Sequence, residues 1–203
     1  MTETMDKNRS GKTGSKKSLI KKLGIVFVCL AVSLVLAVMF FLRNPQRDVV
    51  VDKNLIIAPC DGTVLNIRGR EKDRTYIYCF LSLLNVHRFR IPVTGKVIEV
   101  EYKKGKFLNA ASPRARIENE SNRIVFQMNN NDIIEITQVA GLIGKRIYCD
   151  LKEGDIVQQG DLFGLISFGS GCLMNIPSNY NVKIDLKSPV RAGLTVIAEL
   201  DQE

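Results

Sequence analysis

The sequence predicts a mainly β fold, in which a barrel-sandwich-like β domain follows an N-terminal membrane helix. Three observations predict it. One uncharged apolar run lies near the N-terminus, short β-type runs separated by Gly, Pro and Asn fill the rest of the chain, and a glycine rhythm recurs towards its end. With 203 residues, the chain has room for one domain of ordinary size and an appendage.

The N-terminus divides into two segments. Residues 1–22 are polar and lysine-rich and carry nothing that could build a core, which predicts disorder. Residues 23–42 carry no charge, and a helix of this length spans about 30 Å, the thickness of the hydrocarbon layer of a bilayer. Because the segment ends in Met-Phe-Phe-Leu and not in small residues, a membrane anchor is predicted and a cleaved signal peptide is not.

The composition narrows the classes of partner and cofactor. A net charge of +8 suggests an acidic partner, either nucleic acid or an anionic membrane surface. The basic residues do not alternate with aromatic ones as in single-strand binders, so no nucleic acid is expected. Five cysteines without a C-x-x-C motif and a single histidine argue against a zinc site and fit free thiols in a reducing cytosol.

Residues 43–203 form the predicted β domain. Its candidate strands are Leu55–Ala58, Thr63–Arg68, Thr75–Leu81, Val86–Ile91, Gly95–Tyr102, Arg123–Met128, Ile133–Val139, Ile147–Asp150, Leu162–Ser167, Asn181–Asp185 and Thr195–Leu200. Only residues 139–144 and the region around Arg114 are candidates for a turn of helix. A G-D-x-V-x-x-G-x-x-x-G rhythm over residues 154–164 is typical of lipoyl- and biotinyl-type barrel-sandwich folds. Their carrier lysine is missing, so the rhythm predicts architecture and not a carrier function.

Three residues are candidates for an acid–base–nucleophile set. Ser170 lies between two glycines after a buried-looking strand, His87 is the only histidine, and Asp61 precedes a glycine. Taken singly, they suit a serine in a β-turn, a structural histidine and an aspartate that caps its own turn. Alternation along the strand nevertheless puts His87 on the same face as Phe89. Histidine is the neutral base that titrates near neutral pH, and an aspartate can fix its tautomer.

Short motifs along residues 40–200 resemble those of one family. They are Phe40–Arg47 (F-F-L-R-N-P-Q-R), Ala58–Val64 (A-P-C-D-G-T-V), Asn85–Gly95 (N-V-H-R-F-R-I-P-V-T-G), Tyr102–Ala110 (Y-K-K-G-K-F-L-N-A), Glu118–Glu120 (E-N-E), Gln138–Ile147 (Q-V-A-G-L-I-G-K-R-I) and Phe163–Ser170 (F-G-L-I-S-F-G-S). In this order they resemble the phosphatidylserine decarboxylase proenzymes of the short archaeal and bacterial class. The resemblance is specific because it does not depend on any single motif.

The resemblance implies a proenzyme that cleaves itself between Gly169 and Ser170 into residues 1–169 and 170–203. Ser170, deprotonated by His87 that Asp61 holds, would become a pyruvoyl group, the covalent cofactor of the family. That group would form a Schiff base with phosphatidylserine and accept the electrons released with CO₂, so that phosphatidylethanolamine results. No metal is implied. The implied partners are the lipid, an anionic membrane surface and the two cleavage chains of one heterodimer, with a homo-oligomer left open.

Two positions depart from the family pattern. Gly171 stands where an Arg usually follows the cleavage serine, so another cation has to contact the lipid phosphate, and Arg88, Arg90 and Arg146 are the candidates. Arg90 also stands where longer members have a second histidine, which leaves His87 as the candidate for both self-cleavage and decarboxylation. The lysines expected to contact anionic lipid are Lys103, Lys104 and Lys106.

Two alternatives stay open at this point. One is a membrane-tethered barrel-sandwich adaptor without catalysis, although it would need a long helical hairpin and the sequence has no heptad stretch. The other is a family member that cannot mature and only binds lipid. Seven Lys/Arg before the apolar segment favour a domain outside the cell, whereas the family resemblance and the cysteines favour the cytoplasmic face of the cell membrane.

Overall fold

The structure is a computed structural model that describes residues 3–71, 73–142, 146–166 and 169–201. The chain divides into two compact units, Met1–Arg43 and Asn44–Glu203. The first unit is helical and the second consists mainly of strands, so the predicted mainly β fold with an N-terminal apolar helix is confirmed.

Helix α1 (Glu3–Phe41) forms the first unit. Its stretch Lys21–Phe41 is long and apolar enough to cross a membrane, close to the predicted segment 23–42. The helix also includes most of the segment 1–22, for which the sequence predicts disorder. Helices gain most of their stability by packing an apolar face, which the sequence of this segment does not provide, so its disorder stays a prediction.

The second unit contains one short helix and fourteen strands among its described residues. They are β1 (Leu55–Ile57), β2 (Gly62–Glu71), β3 (Arg74–Leu81), β4 (Arg88–Arg90), β5 (Gly95–Lys103), α2 (Ala115–Glu118), β6 (Ser121–Met128), β7 (Ile133–Val139), β8 (Ile147–Cys149), β9 (Ile156–Val157), β10 (Leu162–Ile166), β11 (Ser170–Pro177), β12 (Tyr180–Val182), β13 (Pro189–Val190) and β14 (Val196–Leu200).

These strands form three antiparallel sheets. The largest has eight strands in the order β13-β2-β3-β11-β7-β6-β5-β9 and curls into a half-barrel, and the two others have three strands each, β4-β10-β8 and β1-β14-β12. Every second residue of β3, β6 and β7 is buried, as expected for strands that pack one face on a core. Phe163 of β10 meets Phe89 of β4 and Phe126 of β6 edge-on, at ring-centroid distances of 5.9 and 6.5 Å, and so packs a small sheet onto the large one.

The predicted strands agree with the observed ones to within a few residues, and Ile133–Val139 has the same bounds. The predicted strand Leu162–Ser167 is observed as far as Ile166, because Ser167 lies outside the described residues, as do positions 143 and 144 of the predicted helical turn. The helical turn near Arg114 is confirmed as α2. Three strands, β9, β11 and β13, were not predicted.

The most important of these is β11, which begins at Ser170. The glycine-flanked serine is most simply interpreted as part of a turn, yet Ser170 and Gly171 are already paired with β3, and Gly171 is also paired with β7. Pairing on both sides satisfies the backbone N–H and C=O groups of this segment, which is why it is a central strand in spite of its glycine. The strand therefore fixes Ser170 within the large sheet.

Candidate active site

Ser170 occupies a site that is unusual for a serine. Its side chain is fully buried on the core-facing side of β11, together with Cys172 and Met174. Among the described residues, its hydroxyl oxygen has no hydrogen-bond partner. Leaving a buried hydroxyl unpaired costs about 1–3 kcal/mol, so such a group points to a functional role.

The peptide bond before Ser170 is held in a special backbone geometry. Gly169 adopts a φ of 64°, in the left-handed region that glycine reaches without steric cost. Its carbonyl oxygen packs directly on the α-carbon of Gly141, and a side chain at position 141 would overlap that oxygen. The Gly169–Ser170 peptide therefore requires glycine both at its own first position and at position 141.

Asn119 holds Gly141 in this place. Its buried amide nitrogen donates to the carbonyl oxygens of Leu108 and Ala140 at 2.8 and 2.7 Å, and its amide oxygen accepts from the Leu108 N–H at 2.9 Å. The E-N-E and Q-V-A-G motifs thus meet beside the same peptide bond. In the sequence the two motifs indicate only the family resemblance, because the contact between them depends on the tertiary structure.

Replacing Gly141 with alanine is expected to slow cleavage of the 169–170 bond about 10- to 100-fold, since overpacking costs about 1–3 kcal/mol and the atom met is backbone. Cleavage can be followed by gel electrophoresis after cell-free synthesis. Gly69→Ala is the matched control, because an added methyl group at position 69 meets no atom within 4 Å. Equal cleavage rates in the two variants would contradict the role assigned to Gly141.

His87 is fully buried, and its ring is oriented by its own neighbourhood. Its Nδ1 lies 2.9 Å from the carbonyl oxygen of Asn85. Because a carbonyl oxygen can only accept, Nδ1 carries the proton and Nε2 of the neutral ring carries the lone pair of a base. The predicted alternation is confirmed for Arg88, Phe89 and Arg90, of which only Phe89 is buried. His87 lies just before this strand, and Val86, predicted on the face of Arg88 and Arg90, is buried as well.

Two backbone contacts connect the segment that ends at His87 with the segment that leads to Ser170. The N–H of Ile166 donates to the carbonyl oxygen of His87 at 3.3 Å, and Ser170 is paired with Leu81. The segments 81–87 and 166–170 are therefore joined at both ends. This topology places the only histidine of the chain next to the segment that contains the 169–170 bond.

The resemblance predicts that Asp61 holds His87, but the hydrogen bonds of Asp61 are formed with two other residues, Arg47 and Ala192. Its carboxylate accepts two hydrogen bonds from Arg47, at 2.6 and 2.9 Å, and one from the N–H of Ala192 at 2.9 Å. Arg47 also donates to the carbonyl oxygen of Ala192 at 2.5 Å. Among the described residues, these are the hydrogen-bond partners of Asp61. The contact that fixes the tautomer of His87 is instead the one with the carbonyl oxygen of Asn85. The assignment of Asp61 to the catalytic set stays a prediction.

Three thiols lie close to the serine strand. Cys60, Cys79 and Cys172 are buried together in the core, and Cys79 is directly opposite Cys172 in the sheet. Hydrogen bonding with Cys172, together with burial, raises the pKa of Cys60, and hydrogen bonding with Cys60, together with burial, raises the pKa of Cys79. Since the thiolate is the nucleophilic form, these two cysteines do not compete with Ser170.

The three arginines predicted to bind the substrate do not line the cleft beside Gly169 among its described residues. Arg90 donates to the carbonyl oxygen of Gly160 at 2.8 Å. Arg88 lines a cleft of about 280 Å³ together with Tyr148, and a hydrogen bond with Tyr148 raises the pKa of the exposed Arg146. Their role in binding stays a prediction.

A second cleft, of about 420 Å³, opens beside Gly169. It is lined by Phe80, Ser82, Leu83, Leu84, Asn109, Leu142 and Gly169. Three of these side chains are exposed leucines, and Leu84 is 74% exposed. A contiguous apolar surface of this kind marks a binding or membrane-contact site. The cleft therefore suits a molecule with an apolar part, whose polar end reaches the 169–170 bond.

The glycine at position 171 has a structural reason. A side chain there would overlap the hydroxyl group of Tyr78, which is buried and donates to the carbonyl oxygen of Ala110 at 2.7 Å. Burial raises the pKa of Tyr78, so the hydroxyl keeps its proton and stays a donor. The space that an arginine would occupy after the serine is thus filled by Tyr78.

Comparisons with known proteins agree with one another. A family model described as phosphatidylserine decarboxylase matches residues 34–198. The phosphatidylserine decarboxylase proenzymes of Wolbachia pipientis wMel and of the Wolbachia of Brugia malayi are 40% and 38% identical over 174 residues, which are 81% of this chain and 76% of each relative. The proenzyme of Geotalea uraniireducens is 39% identical over 170 residues, covering 81% of this chain and 80% of the relative.

Proposed function

The chain belongs to the phosphatidylserine decarboxylase family, and we propose that it converts phosphatidylserine to phosphatidylethanolamine after cleaving itself between Gly169 and Ser170. The observation that carries the proposal is the buried, unpaired hydroxyl of Ser170 directly after a left-handed glycine, in the described part of the chain. A structural serine would find a fixed partner for its hydroxyl, whereas a serine that attacks its own backbone needs a hydroxyl that no structural hydrogen bond holds away from its target.

Self-cleavage proceeds in steps that use residues of this chain. Nε2 of His87 takes the proton of the Ser170 hydroxyl, whose oxygen attacks the carbonyl carbon of Gly169. The C–N bond between the two residues breaks, the nitrogen takes up the proton, and Gly169 is left as an ester on the Ser170 oxygen. A positioned general base of this kind contributes about 10²–10⁴ to the rate.

Elimination then completes the maturation. Loss of the α-proton of Ser170 breaks its Cβ–O bond and releases residues 1–169 with a free carboxylate. The dehydroalanine that remains tautomerises and reacts with water, so that ammonia leaves and a pyruvoyl group starts the chain 170–203. The buried serine at the start of β11 fits this cofactor, because the group forms from the atoms of Ser170 itself. It supplies a carbonyl that binds the substrate amine and accepts the electrons released with CO₂.

The arrangement of the strands supports a stable two-chain product. Residues 170–203 contribute β11, which lies between β3 and β7, and β14, which lies between β1 and β12. Two hydrogen bonds also connect the two products, from the Ala192 N–H to Asp61 and from Arg47 to the Ala192 carbonyl oxygen, and the buried Arg47–Asp61 ion pair within residues 1–169 orients both groups. Bidentate arginine–carboxylate pairs are among the strongest hydrogen-bonded contacts. Cleavage therefore leaves a non-covalent heterodimer, in which the hydrogen bond between Asp61 and the Ala192 N–H helps to hold the two chains together.

The surface around the cleft supports a lipid substrate. The exposed leucines at its mouth provide apolar surface for the acyl chains, and the apolar stretch of α1 provides a membrane anchor. The exposed Lys103 and Lys104 add attraction to an anionic leaflet, about 1 kcal/mol for each charge near the surface. We place the enzyme in the cell membrane with its β domain on the cytoplasmic face.

The intact mass of the purified protein, measured together with CO₂ release from phosphatidylserine vesicles, tests this proposal. We expect two chains, one ending at Gly169 and one starting at position 170, the smaller one lighter by one ammonia than its sequence. Active membranes that contain only the uncleaved chain would overturn the proposal. Complete cleavage without decarboxylation would leave a self-processing protein of different activity and would overturn the assigned reaction.

A further inference from the structure

Arg116 is a half-buried cation, and the described residues provide no carboxylate that forms an ion pair with it. It lies in the short helix α2, and its guanidinium carbon is 4.3 Å from the centre of the Tyr78 ring. Its Nε is buried, and among the described residues this atom has no hydrogen-bond partner. The contact with Tyr78 is the interaction that holds the guanidinium in place.

The two carboxylates of the neighbouring E-N-E motif are engaged elsewhere. Glu118 accepts hydrogen bonds from Arg114 at 2.7 Å and from Lys106 at 2.8 Å, and these contacts lower its pKa to about 2. Glu120 is hydrogen-bonded to Tyr102. Within the described part of the chain, neither acid forms an ion pair with Arg116, and Glu118 is already paired with two other cations. Because an unpaired charge is costly to remove from water, this site favours the binding of an anion.

The position of Arg116 connects it to the cleavage bond. Tyr78 contacts both residues: the guanidinium of Arg116 lies over the face of its ring, and its hydroxyl end fills the space beside Gly171, the residue that follows Ser170. The Tyr78 hydroxyl is bonded to Ala110, whose neighbour Asn109 lines the leucine-rimmed cleft. Arg116 therefore stands on the face of the sheet from which a side chain at position 171 would project.

From these contacts we propose that Arg116 binds the phosphodiester of the substrate and replaces the arginine that usually follows the cleavage serine in the family. Tyr78 fills the space of that arginine and presents the substitute through a cation–π contact. This inference rests on the proposed function, because the phosphodiester is that of phosphatidylserine. It also explains the glycine at position 171, because Tyr78 occupies the space beside this residue and Arg116 supplies the cation.

The phosphodiester is a better ligand for Arg116 than the carboxylate of the same headgroup. A guanidinium presents parallel N–H donors that match two oxygens of a phosphate group. The phosphate keeps its charge throughout the reaction, whereas the carboxylate loses its charge as CO₂ leaves. A cation on the carboxylate would stabilise the substrate more than the transition state and would slow the reaction.

The test uses the full-length, self-cleaved protein and short-chain phosphatidylserine below its micelle concentration. Arg116→Gln is expected to raise KM about 10- to 100-fold, the effect of losing a hydrogen-bonded charge, with kcat little changed. Arg116→Lys should lie between this variant and the wild type. Arg114→Ala is the matched control, because Arg114 is an exposed arginine of the same segment that pairs with Glu118, and its KM should be that of the wild type.

Two competitive inhibitors identify the group that Arg116 binds. Glycerophosphoethanolamine keeps the phosphodiester and lacks the carboxylate, so its inhibition constant should rise by the same factor as KM in Arg116→Gln. Serine keeps the carboxylate and lacks the phosphate, so its inhibition should not change. An unchanged KM in a cleaved Arg116→Gln protein, or weaker inhibition by serine alone, would overturn the inference while the activity of the wild type upholds the proposed function. If Arg116→Gln does not mature, Arg116→Lys carries the same comparison.

Discussion

Ser170→Ala is expected to remain one uncleaved chain of 203 residues and to release no CO₂ from phosphatidylserine. Alanine has no oxygen with which to attack the carbonyl carbon of Gly169, so neither the ester nor the pyruvoyl group can form. The intact mass and the decarboxylation assay give the two results independently. Because the variant removes a buried hydroxyl that has no partner in the described chain, its melting temperature should equal or exceed that of an uncleaved protein that keeps the serine.

Two further serine variants make the result specific. Ser170→Cys keeps a nucleophile at the same atom position and should cleave at the same bond at a different rate. Ser178→Ala removes a hydroxyl from the same cleavage product without touching the 169–170 bond, and it should mature like the wild type. Cleavage that persists in Ser170→Ala would show that another residue attacks, and the assignment of the bond would then fail.

Much of the fold could be predicted because it depends on local alternation. Strand β7 was predicted with its observed bounds, since Ile134 and Ile136 are buried and their neighbours are partly exposed. The same period of two placed Phe89 on the buried face of β4, between the partly exposed Arg88 and Arg90. In both strands one face packs on the core, so the pattern of apolar residues reports directly on the structure.

The site was less predictable because its contacts join residues that are far apart in the chain. Asp61 is bound by Arg47, 14 positions away, and by Ala192, 131 positions away, and its D-G sequence indicates only a local turn. In the sequence, Arg47 is notable only as the last residue of the F-F-L-R-N-P-Q-R motif, and nothing there connects it with Asp61. A buried carboxylate attracts the nearest guanidinium, and which one that is depends on the tertiary fold.

Gly141 and Gly171 illustrate a second limit. Each glycine is required by one atom of another segment, the carbonyl oxygen of Gly169 in the first case and the hydroxyl of Tyr78 in the second. A glycine in a sequence indicates freedom of the backbone or a close approach, but it does not identify the approaching atom. The contact between Tyr78 and position 171 depends on the pairing of β3 with β11, which neither segment indicates by itself.

His87→Gln is expected to slow self-cleavage about 10²–10⁴-fold, the contribution of a positioned general base. Glutamine keeps a similar volume and can still donate to the carbonyl oxygen of Asn85, but its amide nitrogen has no lone pair with which to accept the proton of Ser170. The rate is measured by sampling the uncleaved and cleaved chains over time after cell-free synthesis. The melting temperature of the uncleaved variant should match that of Ser170→Ala, which separates a loss of the base from a loss of folding.

The fraction of His87→Gln that matures on long incubation tests the second role of this histidine. Arg90 stands where longer family members carry a second histidine, and it is occupied by the carbonyl oxygen of Gly160. We therefore expect His87 also to supply the proton that replaces CO₂, so that decarboxylation per pyruvoyl group should be lowered as well. A matured His87→Gln protein with the wild-type rate of decarboxylation would restrict His87 to self-cleavage. Wild-type cleavage would restrict it to decarboxylation, and wild-type rates of both would remove it from the mechanism.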